Sequence, residues 1–214
     1  MSTVGLLFVG AVLFVNGLLF LGKVDPKSAG VFNLFVGGLQ TAIPFWLISH
    51  AETPDEILGA AGIFLFGFTY LYVGIGNLKG YAADGLGWYS LWVAVVAAGF
   101  GVTNIVRFDD TTTGLLWLQW TGLWTVFWLV LALGITRLTA AAGWLTLIQA
   151  FTTCTVPGFV ILLGEWDRVT PGHVYATIAA SVVVFAAVAL RTPAPEPEPA
   201  ASAPAPDVRV PVSA

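Results

Sequence analysis

The chain has 214 residues, 57% of them hydrophobic and only 9% charged, where a soluble domain carries about 25% charged residues. That excludes a soluble globular protein. Six or seven spans of about 20 residues use most of the length, which leaves no room for a separate soluble domain. The net charge of −4 comes from acids in loops and tail, and without a basic run it argues against a nucleic-acid partner.

Seven apolar stretches are predicted as membrane helices, at 4–22, 30–50, 57–77, 87–106, 114–135, 143–163 and 174–190. The fold class expected is an all-α polytopic bundle of six core helices plus a seventh, the shortest. The first stretch has no basic segment before it and no small-residue cleavage site after it, so it is expected to be a retained span. The linkers are short and rich in turn residues, which makes neighbouring helices antiparallel. Pro44 and Pro157 are each expected to kink a helix. The single cysteine, Cys154, lies in an apolar stretch and cannot form an internal disulfide. No internal repeat is evident.

Alternate linkers carry Lys23, Lys27, Lys79, Arg137 and Arg191, whereas the opposite set carries only Arg107 and Arg168. The positive-inside rule then places the first set in the cytoplasm and the N-terminus outside. From residue 192 the sequence turns to alanine and proline and cannot bury a core. The chain therefore divides into a membrane domain, 1–191, and an expected disordered cytoplasmic tail, 192–214.

No Asp, Glu, Lys, Arg or His falls in the middle of a predicted span. Proton relays and ion wells usually need such groups. A retinal protein would need a mid-span lysine, paired haem ligands are missing because His50 and His173 sit at helix ends, and no nucleophile and base are paired. Neither enzymatic activity, cofactor nor metal is expected. The spans hold neutral hydrogen-bonding residues instead, among them Asn16, Asn33, Gln40, Gln119, Gln149, Thr152 and Thr153. Most of these are interhelical glue. Gln119 points away from the tryptophans and is expected to meet a neighbouring helix or subunit.

The fifth stretch carries Trp117, Trp120, Trp124 and Trp128, whose spacing puts four indoles on one stripe of a helix. The stripe rises about 16 Å, too far for one interfacial belt, so some of the rings lie at membrane depth. Such rings could wall a narrow pore for a flat, uncharged, polar solute. Dispersion would hold the solute's faces, indole N–H groups would donate to its carbonyl, and side-chain amides would accept from its NH₂. Unbonded, each such group costs several kcal/mol in hydrocarbon.

Specific strings extend this. They are Phe8-Val9-Gly10-Ala11-Val12-Leu13 with Asn16-Gly17, Lys23-Val24-Asp25-Pro26-Lys27-Ser28, Asn33-Leu34-Phe35-Val36-Gly37-Gly38-Leu39, Phe66-Gly67-Phe68-Thr69-Tyr70-Leu71-Tyr72 and Trp88-Tyr89-Ser90-Leu91. Together they resemble the UreI/AmiS family of bacterial urea and short-chain amide channels, and are closer to its amide branch. The resemblance implies a six-helix protomer with its own pore, a homo-hexamer in the bacterial inner membrane in contact with lipid, and delivery of urea or short-chain amides to a cytoplasmic amidase or urease. Its pore positions match Val9, Leu13, Asn16, Phe66, Tyr70, Trp117, Trp120 and Trp124.

Gln149 stands where acid-gated members have a glutamate, and Thr113 where they have a further tryptophan. Gln149 joins the expected pore lining as an amide in an apolar helix. The long, histidine-rich external loop of those members is reduced to 51–56, and a seventh helix is added. Only His50 and His173 remain as pH-sensing candidates, so an open or weakly pH-dependent pore is expected. The expected function is a passive channel for urea and small amides. The alternatives are an ion-coupled amide transporter and a non-conducting scaffold for an amidase.

Overall fold

The computed structural model describes residues 2–192. The tail expected over 192–214 lies outside them except for Thr192. The described residues form α1 (Ser2–Phe20), α2 (Pro26–Ser49), α3 (Pro54–Lys79), α4 (Asp84–Arg107), α5 (Thr111–Leu131), α6 (Thr139–Gln149), α7 (Val156–Leu162) and α8 (Pro171–Arg191). A wide π-turn over Ala150–Thr155 joins α6 to α7, so the two act as one sixth span, Thr136–Leu162. Seven segments among the described residues are long and apolar enough to cross a bilayer. The protein is an all-α, multi-pass membrane bundle.

Several helices begin three or four residues before their apolar runs, because their first turns are polar and capped. The Asp25 side chain accepts from the backbone N–H groups of Lys27 and Ser28 at 2.9 and 3.0 Å, with Pro26 opening α2. Thr53 and Glu56 form a reciprocal capping box ahead of α3, and the Asp110 side chain accepts from the Thr113 N–H at 2.9 Å. In the same way Thr170 and Pro171 lengthen α8 to 21 residues, so it is not the shortest span; α1 has 19.

Three glycine pairs let helices meet backbone to backbone. A Cβ on Gly30 would stand 3.1 Å from the Gly74 carbonyl oxygen, one on Gly17 3.0 Å from that of Gly143, and one on Gly114 2.9 Å from that of Gly101. They set the hairpin α2–α3, the closure of α1 on α6, and the hairpin α4–α5. Around this bundle many large apolar side chains face outward, as with Phe35 at 70% and Val95 at 67% exposure, as suits a surface in hydrocarbon.

The two prolines are accommodated differently. α2 runs through Pro44, which is buried. Ahead of Pro157 the chain widens into the π-turn, where the missing N–H and the ring are tolerated. The Thr152, Thr153 and Thr155 hydroxyls donate to the carbonyls of Ile148, Gln149 and Ala150 at 2.9, 2.6 and 2.8 Å. A Cβ on Gly10 of α1 would overlap Thr155 Oγ1, so glycine there seats the turn.

Candidate functional site

Three cavities follow one another through the bundle between α1, α3 and α5. The first, about 210 Å³, opens at the end that carries Ser2 and is walled by Val9, Gly62, Phe66, Trp117, Trp120 and Trp166. The third, about 280 Å³, opens at the end that carries Thr139 and is walled by Leu13, Asn16, Tyr70, Asn77 and Phe127. Between them a gap of about 10 Å³ is ringed by Leu13, Phe66, Tyr70, Trp120, Leu123 and Trp124. That is about the volume one water needs. No charged side chain lines any of the three.

Phe66 is the hub of the narrow part. Its ring centroid lies 4.9 Å from Trp120, edge-on at 85°, 4.9 Å from Trp124 and 6.0 Å from Trp117. Trp117 and Trp120 meet edge to face at 5.0 Å, and Phe100 of α4 stacks on Trp117 at 4.6 Å. These are favourable aromatic geometries, each contributing about 0.5–1.5 kcal/mol beyond burial. Gly62 makes room for them, since a Cβ there would stand 2.8 Å from the Trp117 ring. The Trp120 indole N–H donates to Thr153 Oγ1 at 3.0 Å, and that hydroxyl donates to the Gln149 carbonyl at 2.6 Å. The π-turn thereby holds one ring of the constriction in place. It also occupies the Trp120 N–H, which was expected to serve the solute.

Of the residues expected to line a pore, Val9, Leu13, Asn16, Phe66, Tyr70, Trp117, Trp120 and Trp124 border these cavities. Asn16 does so with its amide already engaged: Asn16 and Asn33 exchange hydrogen bonds at 2.9 and 2.7 Å across α1 and α2. Gln149 lies elsewhere. Its amide nitrogen donates to the Gln119 carbonyl at 3.2 Å, and it lines a separate cavity between α5, α6 and α8. Trp128 leaves the axial face, which centres on Trp120: at 100° per residue it lies about 80° round the helix from that ring, on the side of α4, where it sits 6.1 Å from Trp88. Phe127 takes its place.

Leu123, Phe127 and Thr69 were missed. Leu123 and Phe127 follow Trp120 at three and seven residues, a spacing that marked them as sharing its face. Gln119 does meet a neighbouring helix, donating to Thr177 Oγ1 of α8 at 3.3 Å.

His50 and His173 are exposed at helix ends. His50 Nδ1 lies 2.8 Å from the Trp46 carbonyl, and His173 Nδ1 accepts from the Thr170 N–H at 3.1 Å as a cap. Neither borders the axial cavities. Arg107 pairs with Asp55 at 2.7 Å in an exposed bridge that ties α4 to α3. Among the described residues, no three His, Cys, Asp or Glu side chains gather as a metal site.

A membrane bundle with two uncharged vestibules meeting at an aromatic neck has the architecture of a channel. Similarity to known proteins agrees. The family described as AmiS/UreI family transporter matches residues 1–165, and the chain belongs to it. It is 46% identical over 190 residues to the candidate transporter AmiS2 of Rhodococcus erythropolis, covering 88% of this chain and 91% of that one. It is 41% identical over 194 residues to a candidate amidate-substrate transporter of Mycolicibacterium smegmatis, covering 90% and 89%. The urea channel of Helicobacter pylori in its closed state superposes with a TM-score of 0.71 at 32% identity, covering 78% of this chain and all of that one.

Proposed function

We propose that the axial route conducts urea and small neutral amides such as acetamide passively. The observation that carries this is the pair of uncharged vestibules meeting at the neck of Phe66, Tyr70, Trp120 and Trp124. Flat aromatic walls offer dispersion to a planar solute, and the absence of charged lining gives an ion nothing in exchange for its hydration. The same absence argues against ion coupling, which needs a titratable or ion-binding group on the path. The acid-activated urea channel of Helicobacter pylori, 32% identical over 192 residues, supports urea; the Mycolicibacterium relative supports an amide.

At rest the neck admits no solute whole, so passage requires its rings to part. Because Phe66 touches three tryptophans, it is the ring whose movement opens the neck. Neither histidine reaches this region, which supports a pore without a steep pH gate. The rest of the reading is an N-terminus outside the bacterial inner membrane, a hexameric ring of protomers each with its own route, and a cytoplasmic amidase or urease that consumes the solute. The charge distribution of the linkers supports the orientation, and the resemblance to the family supports the ring and the partner.

Stopped-flow swelling of proteoliposomes in urea, acetamide and glycerol gradients at pH 7 and pH 5 tests the proposal. Protein-dependent entry of urea or acetamide well above that of glycerol, similar at both pH values, is expected. Trp120→Ala in correctly inserted protein should alter that flux or its selectivity. Unchanged flux of urea and acetamide in that variant would count against the route.

A further inference from the structure

A groove lies on the flank of the bundle between α5, α7 and the first two turns of α8, at the end that carries Ser2. Its volume is about 380 Å³, within the roughly 300–1,000 Å³ of ligand sites. Leu116, Val156, Val160, Val169 and Val174 wall it, and Val156 is 54% exposed, so the groove opens sideways to the hydrocarbon. An apolar hollow does not hold water, and what surrounds this one is lipid.

The rim of the groove is polar and carries both signs, since Glu165, Arg168 and His173 all border it. Arg168 Nε pairs with a Glu165 carboxylate oxygen at 2.7 Å, with the two side chains 79% and 43% exposed. That single contact leaves most of the five guanidinium donors, and a carboxylate oxygen, open to a headgroup. His173 Nδ1 accepts from the Thr170 N–H at 3.1 Å, which puts the proton of the neutral ring on Nε2 as a donor. One acid, one base and one neutral donor leave the rim without net charge. A phosphate ester that carries a primary ammonium is its complement: the phosphate meets Arg168 and His173 Nε2, and the ammonium meets Glu165. A phosphatidylglycerol headgroup brings only negative charge and sets it beside Glu165, and a trimethylammonium has no N–H to give.

We infer that this groove is a site for one phosphatidylethanolamine molecule, its headgroup on Glu165, Arg168 and His173 and an acyl chain beneath, along Val156, Val160 and Val174. The chain beyond Thr192 is not the occupant, because it leaves α8 at the opposite membrane face, about 30 Å from the rim. Leu116 and Trp166 wall both the groove and the first axial vestibule, so the lipid backs that vestibule from outside.

The test is native mass spectrometry of the delipidated full chain, titrated with phosphatidylethanolamine, phosphatidylglycerol and phosphatidylcholine of identical acyl chains. One phosphatidylethanolamine per chain is expected to bind about tenfold more tightly than either of the others. Glu165→Gln should level it with phosphatidylglycerol, Arg168→Gln should weaken all three several-fold, and Val160→Trp, which fills the groove beneath an unaltered rim, should remove the tight lipid. Several equivalent lipids per chain without headgroup preference would mean ordinary annular lipid and would overturn the site, as would phosphatidylglycerol binding as tightly or more tightly. So would a preference that survives all three variants, or a Val160→Trp protein that keeps its lipid but falls apart into single chains, which would assign the groove to a second copy of the chain.

Discussion

The two faces of α5 have opposite designs. Toward the axis, Trp117, Trp120 and Trp124 press against Phe66, and Phe127 joins the wall of a gap of about 10 Å³. Toward α8, smaller side chains and Gly122 leave about 360 Å³. The axial face is held from behind, because α1, α3 and the π-turn close on it through glycine contacts and the Trp120–Thr153 hydrogen bond. The α8 face has no such backing: only Val174 and Ser181 of α8 are buried. Selectivity calls for a narrow neck whose rings are held in place from behind and part only for a passing solute. A loosely attached outer helix calls for nothing of the kind, and that is the lesson of the difference.

The sharpest way to break the comparison is to place the same large ring on each face. Leu123→Trp fills the neck and should reduce acetamide flux in proteoliposomes at least tenfold, whereas Val126→Trp, beside the lateral cavity of about 360 Å³, should change it by less than about twofold, since that space takes the ring without overpacking. Phe66→Ala removes the hub of the neck, and its expected effect is lost discrimination, with glycerol entry rising several-fold relative to urea in the same assay.

A smaller change comes from Thr153→Val. It leaves the Trp120 N–H unpaired, with a cost of about 1–3 kcal/mol in stability. The urea-to-glycerol ratio should shift a few-fold, and Thr153→Ser should restore both. The least effect belongs to the His50→Ala, His173→Ala double variant, whose flux between pH 7 and pH 5 should follow that of the unaltered protein. A steep rise on acidification that the double variant abolishes would show that these caps sense protons after all.

Much of the bundle was legible in the sequence because hydrocarbon imposes a simple rule, a run of about 20 apolar residues for each crossing. The capped first turns were harder to see. Asp25, Thr53 and Asp110 satisfy backbone donors outside the apolar runs, so a hydropathy reading begins each helix late. The stripe on α5 was visible as spacing, but its register against the neighbours was not: Trp128 drifted to α4, and Phe127 replaced it.

Gln149 shows the deeper limit. An amide in an apolar helix must find a partner, and sequence alone does not say whether that partner is a solute or the backbone of α5. The π-turn at Ala150–Thr155 was equally hidden, since beyond Pro157 in its own span it depends on Gly10 of α1 meeting Thr155 and Ala150 in space.

The central claim is that neutral amides pass down their own gradient and are not driven. The most direct measurement is uptake of labelled acetamide into energised inside-out and right-side-out vesicles, with and without a protonophore. The account predicts equal rates under both conditions and a final internal concentration equal to the external one. Accumulation above the external concentration that collapses with the protonophore would contradict it.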